Sequence, residues 1–508
     1  MSDTQFEAVR EYYRNKDVHQ RIEEFCGGKK FSCEYIVGFG EFLARNGYRR
    51  PLRLSNRQED LAGMMEQGLD LFRAVWDKKA TLAVWDVEYF NLDTWHGLYR
   101  NQLLYFKLME PAYQAIESVL AEYHIPHIND STSSGYHFNS LIPFSSPVHR
   151  KLERIGHLED TLRKKYSQVL GEDDKRIRQL SLRAGLGYSA IGRLHEFLCH
   201  LVIRRTQESS SLPVTISDAA VGRMARGREG MSLDITQYAD PLYMRDIRTT
   251  FSTHQKHKVY LGKVGRETGR RMPVYATLPR NNLSFQELFE LRKDLKKAAS
   301  YAKECSGIIP DASAGWEQVI NDYRESTLFS FHRDFDRVSH EPPERWKNTY
   351  WRLDLDSLPP CAANSIRNHT WGLLNPTSIQ NLCRVLFAIG WHPKHIAGLI
   401  HSYYETKPGW KTDWEKYHAE TRANFWSRIY CGMIVTGTDT LSDFRCVCHQ
   451  EKGYCVHPYC GFNLGDYRRK IQERLGNGEW GMGNSRKPNI QYPTNLRQGY
   501  GGHARNIQ

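Results

Sequence analysis

The chain has 508 residues, with 70 lysines and arginines against 58 aspartates and glutamates, a formal charge of +12 and an isoelectric point near 9.0. That length predicts about three domains and a large core. No run of about 18 apolar residues offers a membrane span, and the start Met1-Ser-Asp-Thr-Gln-Phe-Glu7 lacks the basic and apolar regions of a signal peptide, so the expectation is a soluble, cytoplasmic protein with no membrane partner. The basic excess suits a polyanion, and 12 tryptophans with 28 tyrosines offer flat faces for stacked bases, although such rings also build cores. Eleven cysteines in a chain of this class argue against a disulfide framework, and seven of them fall between Cys361 and Cys460, an uneven distribution that points to metal.

Phe6 to Cys26 has helical spacing and carries Tyr12-Tyr13-Arg14; a Gly27-Gly28 break and a predicted strand, Lys30 to Val37, follow. An amphipathic helix is expected from Glu59 to Lys78, and another from Leu103 to Tyr123. Between them lies Thr81-Leu-Ala-Val-Trp-Asp-Val-Glu-Tyr-Phe90, an apolar strand that ends in an acid-x-acid pair, Asp86 and Glu88. Period-two spacing puts both carboxylates on one face. At about 5 Å and an effective dielectric of about 20 they repel by roughly 3 kcal/mol, so a site that keeps both ionised needs a cation, Mg²⁺ or Mn²⁺. A strand edge facing water is the simpler reading of the pair alone. Alternation of strands and helices predicts a sheet covered by helices, in the α+β class.

After Pro126 comes Asp130-Ser-Thr-Ser-Ser-Gly-Tyr-His-Phe-Asn-Ser-Leu-Ile-Pro143, a small-residue turn entering a strand near His137, in which backbone amides can approach a phosphate beside the imidazole. From Val148 to Arg205 the sequence is helical and basic, with Arg163-Lys164-Lys165 and Lys175-Arg176-Ile-Arg178; solvated faces are the simpler reading of each cluster, and together they could track a nucleic-acid backbone. A strand-like Leu212 to Ile216 and a Gly/Arg-rich loop, Val221 to Gly230, lead to Ser232-Leu-Asp-Ile235 and then Arg245, Arg248, Ser252, His254, Lys256 and Lys258. Asp234 can complete a metal site, and the cations can hold a polyphosphate.

These stretches together resemble the catalytic (small) subunit of the archaeo-eukaryotic primase superfamily. The family pattern is an acid-x-acid strand, Ser-Gly-x-x-Gly-x-His, and Leu-Asp-Ile leading through a basic residue to Ser-x-His-x-Lys. The counterparts are Asp86 and Glu88; Ser131 through Gly135 to His137; and Leu233-Asp234-Ile235 leading to Arg248 and Ser252-Thr-His254-Gln-Lys256. Ser133 and Ser134 stand where that family often has basic residues, and the second acid is Glu88 rather than Asp. The resemblance implies an RRM-like sheet flanked by helices over 1–280, with 148–205 a basic helical insertion. It also implies two-metal nucleotidyl transfer, with Asp86, Glu88 and Asp234 holding the ions. Ser131, Gly135, His137, Arg248, Ser252, His254 and Lys256 would bind the nucleoside triphosphate. Single-stranded DNA would be the template, and replication or repair proteins the further partners.

Residues 281–345 read as a helical linker, with a charged helix over Phe285 to Cys305. Leu358-Pro-Pro-Cys-Ala-Ala-Asn-Ser-Ile-Arg367 then resembles the first ligand segment of the iron–sulfur domain of primase large subunits, and helices follow over Ile379 to Tyr404 and Trp414 to Tyr430. The stretch Asp443 to Cys460 holds four cysteines in its last 15 residues, with His449 and His457 among them, which points to metal binding. Alone it could be a zinc knuckle. Joined to Cys361 it looks like a [4Fe–4S] site held by Cys361, Cys446, Cys455 and Cys460, with Cys448 the substitute for Cys446. Residues 346–476 are therefore expected as an all-α iron–sulfur domain, and 477–508, rich in Gly, Asn and Arg, as a disordered tail. The reading is a primase or primase-polymerase; the alternatives are an inactive nucleic-acid-binding accessory protein and a repair or defence polymerase that extends without initiating.

Overall fold

The computed structural model describes residues 3–40, 53–55, 59–91, 94, 97–132, 134–165, 169–170, 177–178, 181–216, 229–239, 245–259, 265–368, 376–406, 419–451 and 453–476. The expected tail at 477–508 and most of the Gly/Arg-rich loop lie outside these residues, as do Lys175 and Arg176.

The helical run expected from Phe6 to Cys26 is two helices, Asp3–Arg14 and Lys16–Phe25, because the Asn15 side chain accepts from the amides of Asp17 and Val18 and caps the second. Strands β1 (Ile36–Phe39) and β2 (Arg53–Ser55) follow. The helix expected to reach Lys78 stops at Glu66. Gly68 takes φ +65°, and Asp70-Leu-Phe-Arg-Ala74 continues as strand β3 (Asp70–Ala74), so a turn glycine outweighed the helical spacing. Next come β4 (Ala80–Asn91), helix Gln102–Glu122, and the hairpin of β5 (Ile128–Ser131) and β6 (Gly135–Pro143). A short ribbon, β7 (Val169–Leu170) and β8 (Ile177–Arg178), precedes helix Leu182–Thr206, β9 (Val214–Ile216) and β10 (Glu229–Asp234). The strands end with β11 (Asp246–Arg248), β12 (Thr253–His254) and β13 (Tyr275–Ala276).

β4 is the middle strand of a five-stranded sheet in the order β5-β6-β4-β10-β9, antiparallel except between β10 and β9. A second antiparallel sheet runs β11-β3-β1-β2. Alternation along β4 and β6 sends Trp85, Tyr136 and Phe138 to one face of the central sheet, where they are buried. Helix Gln102–Glu122 sets Phe106 and Tyr113 against Tyr136, with ring centroids 5.4 and 4.6 Å apart, and helix Leu182–Thr206 sets His195 against Trp85 at 5.5 Å. The opposite face carries Asp86, Glu88 and His137. The fold is thus mixed α+β, with helices on one face of the sheet.

Two expected segments pack closely on the central sheet. In helix Leu182–Thr206, which falls within the expected insertion, Tyr188, Ile191, Leu194, Leu198 and Val202 are buried at helical spacing, and they make it a layer of the core under β4. Residues 281–345, expected as a helical linker, are joined to the sheet as well. Leu141 on β6 donates to Pro310 O and accepts from the Ala312 amide, both at 3.0 Å, and Trp316 Nε1 donates to Ser140 Oγ at 3.0 Å. The charged helix expected over Phe285 to Cys305 is two short ones, Phe285–Arg292 and Leu295–Tyr301, the second restarted by the Asp294 cap. Beyond them the described chain is helical through Leu464–Gly476, and one apolar core runs from Val9 to Ile471. Among the described residues no helix is long and apolar enough to cross a membrane.

Candidate functional site

Register builds the site. Asp86 on β4 lies directly opposite Asp234 on β10 and directly opposite His137 on β6, and His137 in turn lies opposite Asp130 on β5. Directly paired residues share a face, so Asp130, His137, Asp86 and Asp234 form one row across four strands. Glu88 is two residues along β4, on the same face, opposite Gly135 and Ser232. The three expected metal-holding carboxylates are therefore neighbours on one surface, although Asp234 is far from the pair in sequence.

The turn between β5 and β6 fits around Glu88. Ser134 Oγ donates to Glu88 Oε1 at 2.8 Å, and Ser134 O accepts from the Tyr89 amide at 2.7 Å. Gly135 lies so close to β4 that a Cβ there would come within 1.6 Å of Val87 O. Its role is close backbone approach. Ser134, which stands where the resembled family often has a base, thus takes one oxygen of the second acid.

Crowding of like charge shifts these acids. Burial, then Asp86, pushes Glu88 up to about 7, with Asp234 adding to the rise and Lys256 and Ser134 opposing it. Burial, then Asp86, raises Asp234, against hydrogen bonds from Thr236, whose amide lies 2.7 Å from Asp234 Oδ1. Burial pulls His137 down, but Asp86, aided by Asp130 and Glu88, more than reverses this and raises it. His137 Nε2 lies 3.3 Å from Asp86 Oδ1, close enough for an ion pair but without hydrogen-bond geometry, so Asp86 Oδ1 is left with no hydrogen bond. A buried carboxylate oxygen without a donor, amid carboxyls held above their ordinary values, fits a hard divalent cation with oxygen ligands. Among the described residues no three His, Cys, Asp or Glu side chains already converge on one coordinating point, and this holds for the cysteines as well as the acids.

The expected triphosphate ligands divide. Lys256 is exposed and close enough to Glu88 to act on its carboxyl. Arg248 and Ser252 are committed elsewhere: Arg248 Nη1 is 2.8 Å from Asp70 Oδ2, and its guanidinium lies over the Phe72 ring at 4.4 Å. Ser252 Oγ accepts from the Leu71 amide at 2.7 Å and donates to Thr253 O at 3.0 Å. Ser131 is likewise stitched to Leu278 O, by its amide at 2.9 Å and its hydroxyl at 3.0 Å. These groups hold β3, β11 and β12 in place beside the acids. His254 is buried, Nδ1 without a hydrogen bond, and burial followed by Arg248 and His257 keeps it well below the usual histidine range.

Sequence reasoning missed Asp70 and Asp130. Asp70 is fully buried and also accepts from Thr253 Oγ1 at 2.8 Å and the Gln255 amide at 3.0 Å. Nothing in the local sequence announces it. Asp130 had a signal: it and His137 sit symmetrically about the turn, which in a hairpin makes them partners.

The thiols form a second centre. Cys361 is the second residue of helix Pro360–Arg367, and Cys446 is the first of helix Cys446–Glu451. With Cys455 and Cys460 they line one recess of about 360 Å³, open solvent included, together with His449 and His457. Burial, then Cys455, Cys446 and Cys460, pushes the Cys361 thiol up to about 12. The Leu464 amide donates to Cys446 Sγ at 3.4 Å, the kind of bond that supports a metal-bound sulfur. Cys448, about 200° around the helix from Cys446, does not line the recess. Four thiols around one space fit a thiolate-held metal or cluster. Cys383 and Cys431 are buried in the core.

Compared with protein-family models, curated proteins and solved structures, the chain matches none.

Proposed function

We propose that this chain is a DNA primase or primase-polymerase, making or extending primers on single-stranded template by metal-dependent nucleotidyl transfer. The observation that carries the reading is the row His137–Asp86–Asp234 with Glu88 beside it, assembled on one sheet face from three separate sequence motifs. A mixed sheet backed by helices on one face, with the acids on the other, supports the RRM-like primase architecture.

Asp86, Glu88 and Asp234 would hold Mg²⁺ or Mn²⁺, which when bound supplies charge to stabilise in-line transfer and to acidify a primer 3′-hydroxyl. His137, beside Asp86, and Lys256, beside Glu88, bind and orient the nucleotide triphosphate. Ser134 keeps the second acid pointed into the site, and Gly135 brings a backbone edge close to the anion. Arg248, Ser252 and Ser131 act by fixing this wall. Cys361, Cys446, Cys455 and Cys460 would hold a [4Fe–4S] cluster, zinc being the other thiolate-binding metal, in a helical module that helps hold the template.

The test is incubation with unprimed and primed single-stranded DNA, ribo- or deoxyribonucleotides, and Mg²⁺ or Mn²⁺, with sizing of the products. Incorporation is expected in the wild type and is lost in Asp86→Ala/Asp234→Ala. Retained activity in that variant overturns the reading. Tight single-strand binding with no incorporation under either metal replaces it with the accessory-protein reading.

A further inference from the structure

Asp130 is fully buried on β5, at the end of the row that runs through His137 and Asp86 to Asp234. Strands about 4.8 Å apart put it about 10 Å from Asp86 and about 14 Å from Asp234, against a metal–oxygen bond of about 2 Å. It is too far away to share their metal. Its only neighbour in the row is His137.

Each of these two side chains has a polar atom left over, and the two groups stand too far apart for a direct ion pair. Asp130 Oδ1 and His137 Nδ1 are both buried and both without a hydrogen bond. They belong to residues directly opposite in the ladder, where Cβ atoms stand about 4.5–5.5 Å apart. The rest of each group is already oriented: Asp130 Oδ2 accepts from Asn139 Nδ2 at 3.3 Å, and His137 Nε2 lies 3.3 Å from Asp86 Oδ1. Thr250 Oγ1 is also buried without a hydrogen bond and close enough to act on the Asp130 carboxyl, which can accept from it and from a ring nitrogen together; a water joining the leftover acceptor to the leftover nitrogen satisfies both.

We propose that Asp130 is the positioning residue of His137: Asp130 Oδ1 takes up the Nδ1 proton's hydrogen bond through one water and fixes the ring with Nε2 toward Asp86 and the nucleotide. The orientation stands on geometry alone; its consequence for turnover rests on the nucleotidyl-transfer reading.

A double-mutant cycle tests the consequence. Asp130→Leu should raise the nucleotide KM about tenfold, the size of one oriented hydrogen bond, with a smaller change in kcat. In a His137→Ala background the same substitution should change neither. An equal factor in both backgrounds overturns the proposal. Nitrogen-15 spectra of histidine-labelled, metal-free protein, assigned through His137→Ala, test the orientation without any turnover. At a pH high enough to leave the ring neutral, His137 Nδ1 should carry the proton in the wild type and show an altered resonance in Asp130→Leu. A wild-type Nδ1 without a proton overturns the proposal even where the leucine variant fails to fold. A wild type that incorporates no nucleotide counts against the proposed function and leaves the spectra to decide this inference.

Discussion

A carboxyl that burial and Asp86 push up to about 7, as at Glu88, ties stability to pH in a definite direction. Its folded pKa lies above the unfolded value of about 4.3, so between the two the unfolded chain has lost the proton and the folded chain keeps it. Stability therefore falls as pH rises from about 4.3 to 7 and levels off above, by up to about 1.4 kcal/mol per pH unit for this one group. Asp234, also raised, adds in the same sense. In chelator, the melting temperature of wild type relative to Glu88→Gln should decline across that window, and added Mg²⁺ should restore it above pH 7. Parallel profiles for the two proteins would show that Glu88 is not a destabilised acid. The residue types of the candidate site were readable from sequence because the acids, the histidine and the cation stand in short, separate motifs. Which basic residues serve the wall was not: Arg248 looks like Lys256 in the chain, and only the buried Asp70 decides that Arg248 is held there.

For elements, the legible parts were those whose sequence period matches their burial. The acidic strand and the helix Leu103 to Tyr123 emerge as β4 and Gln102–Glu122. Turn chemistry hid the rest. Gly68 ended a helix that periodicity would have carried to Lys78, and Asn15 and Asp294 cut single expected helices in two. In the cysteine-rich stretch the order of the thiols left Cys446 and Cys448 interchangeable. A helix beginning at Cys446 separates them, turning one into the recess and the other away. Protein purified anaerobically should be brown, with iron and acid-labile sulfide. Cys361→Ser and Cys446→Ser should lose most of that iron, while Cys448→Ser keeps it. Iron loss in Cys448→Ser with retention in Cys446→Ser would reverse the assignment, and colourless protein with stoichiometric zinc would identify a zinc centre.

The whole molecule is held across the expected domain boundaries by a buried polar network that no local pattern discloses. Glu196, on the helix under the central sheet, is fully buried; His332 Nε2 lies 3.2 Å from its Oε1 and Arg428 Nε 3.2 Å from its Oε2. Tyr323 OH lies 2.6 Å from His332 Nδ1. Burial favours neutral Glu196, but His332 and Arg428 outweigh it and hold the carboxyl down to about 2. Burial keeps His332 down at about 4, so at neutral pH it is an uncharged bridge that accepts from Tyr323 and donates to Glu196. The charge pair is thus Glu196 with Arg428, which joins the sheet-backing helix to helix Ala419–Val435. Glu196→Ala would strand the Arg428 charge and the His332 donor, at a cost of about 3–5 kcal/mol. Glu196→Gln, which keeps an acceptor for His332, should lose less. Because the network and the apolar core both cross the boundaries near 281 and 346, calorimetry should show one main transition in the wild type, and Glu196→Ala should lower all of it. Two transitions, with only the later one moved by the substitution, would mean that the acid face and the thiol recess ride on independent units. A single transition means that the groups proposed to hold nucleotide and template keep a fixed spacing, set by residues that touch neither.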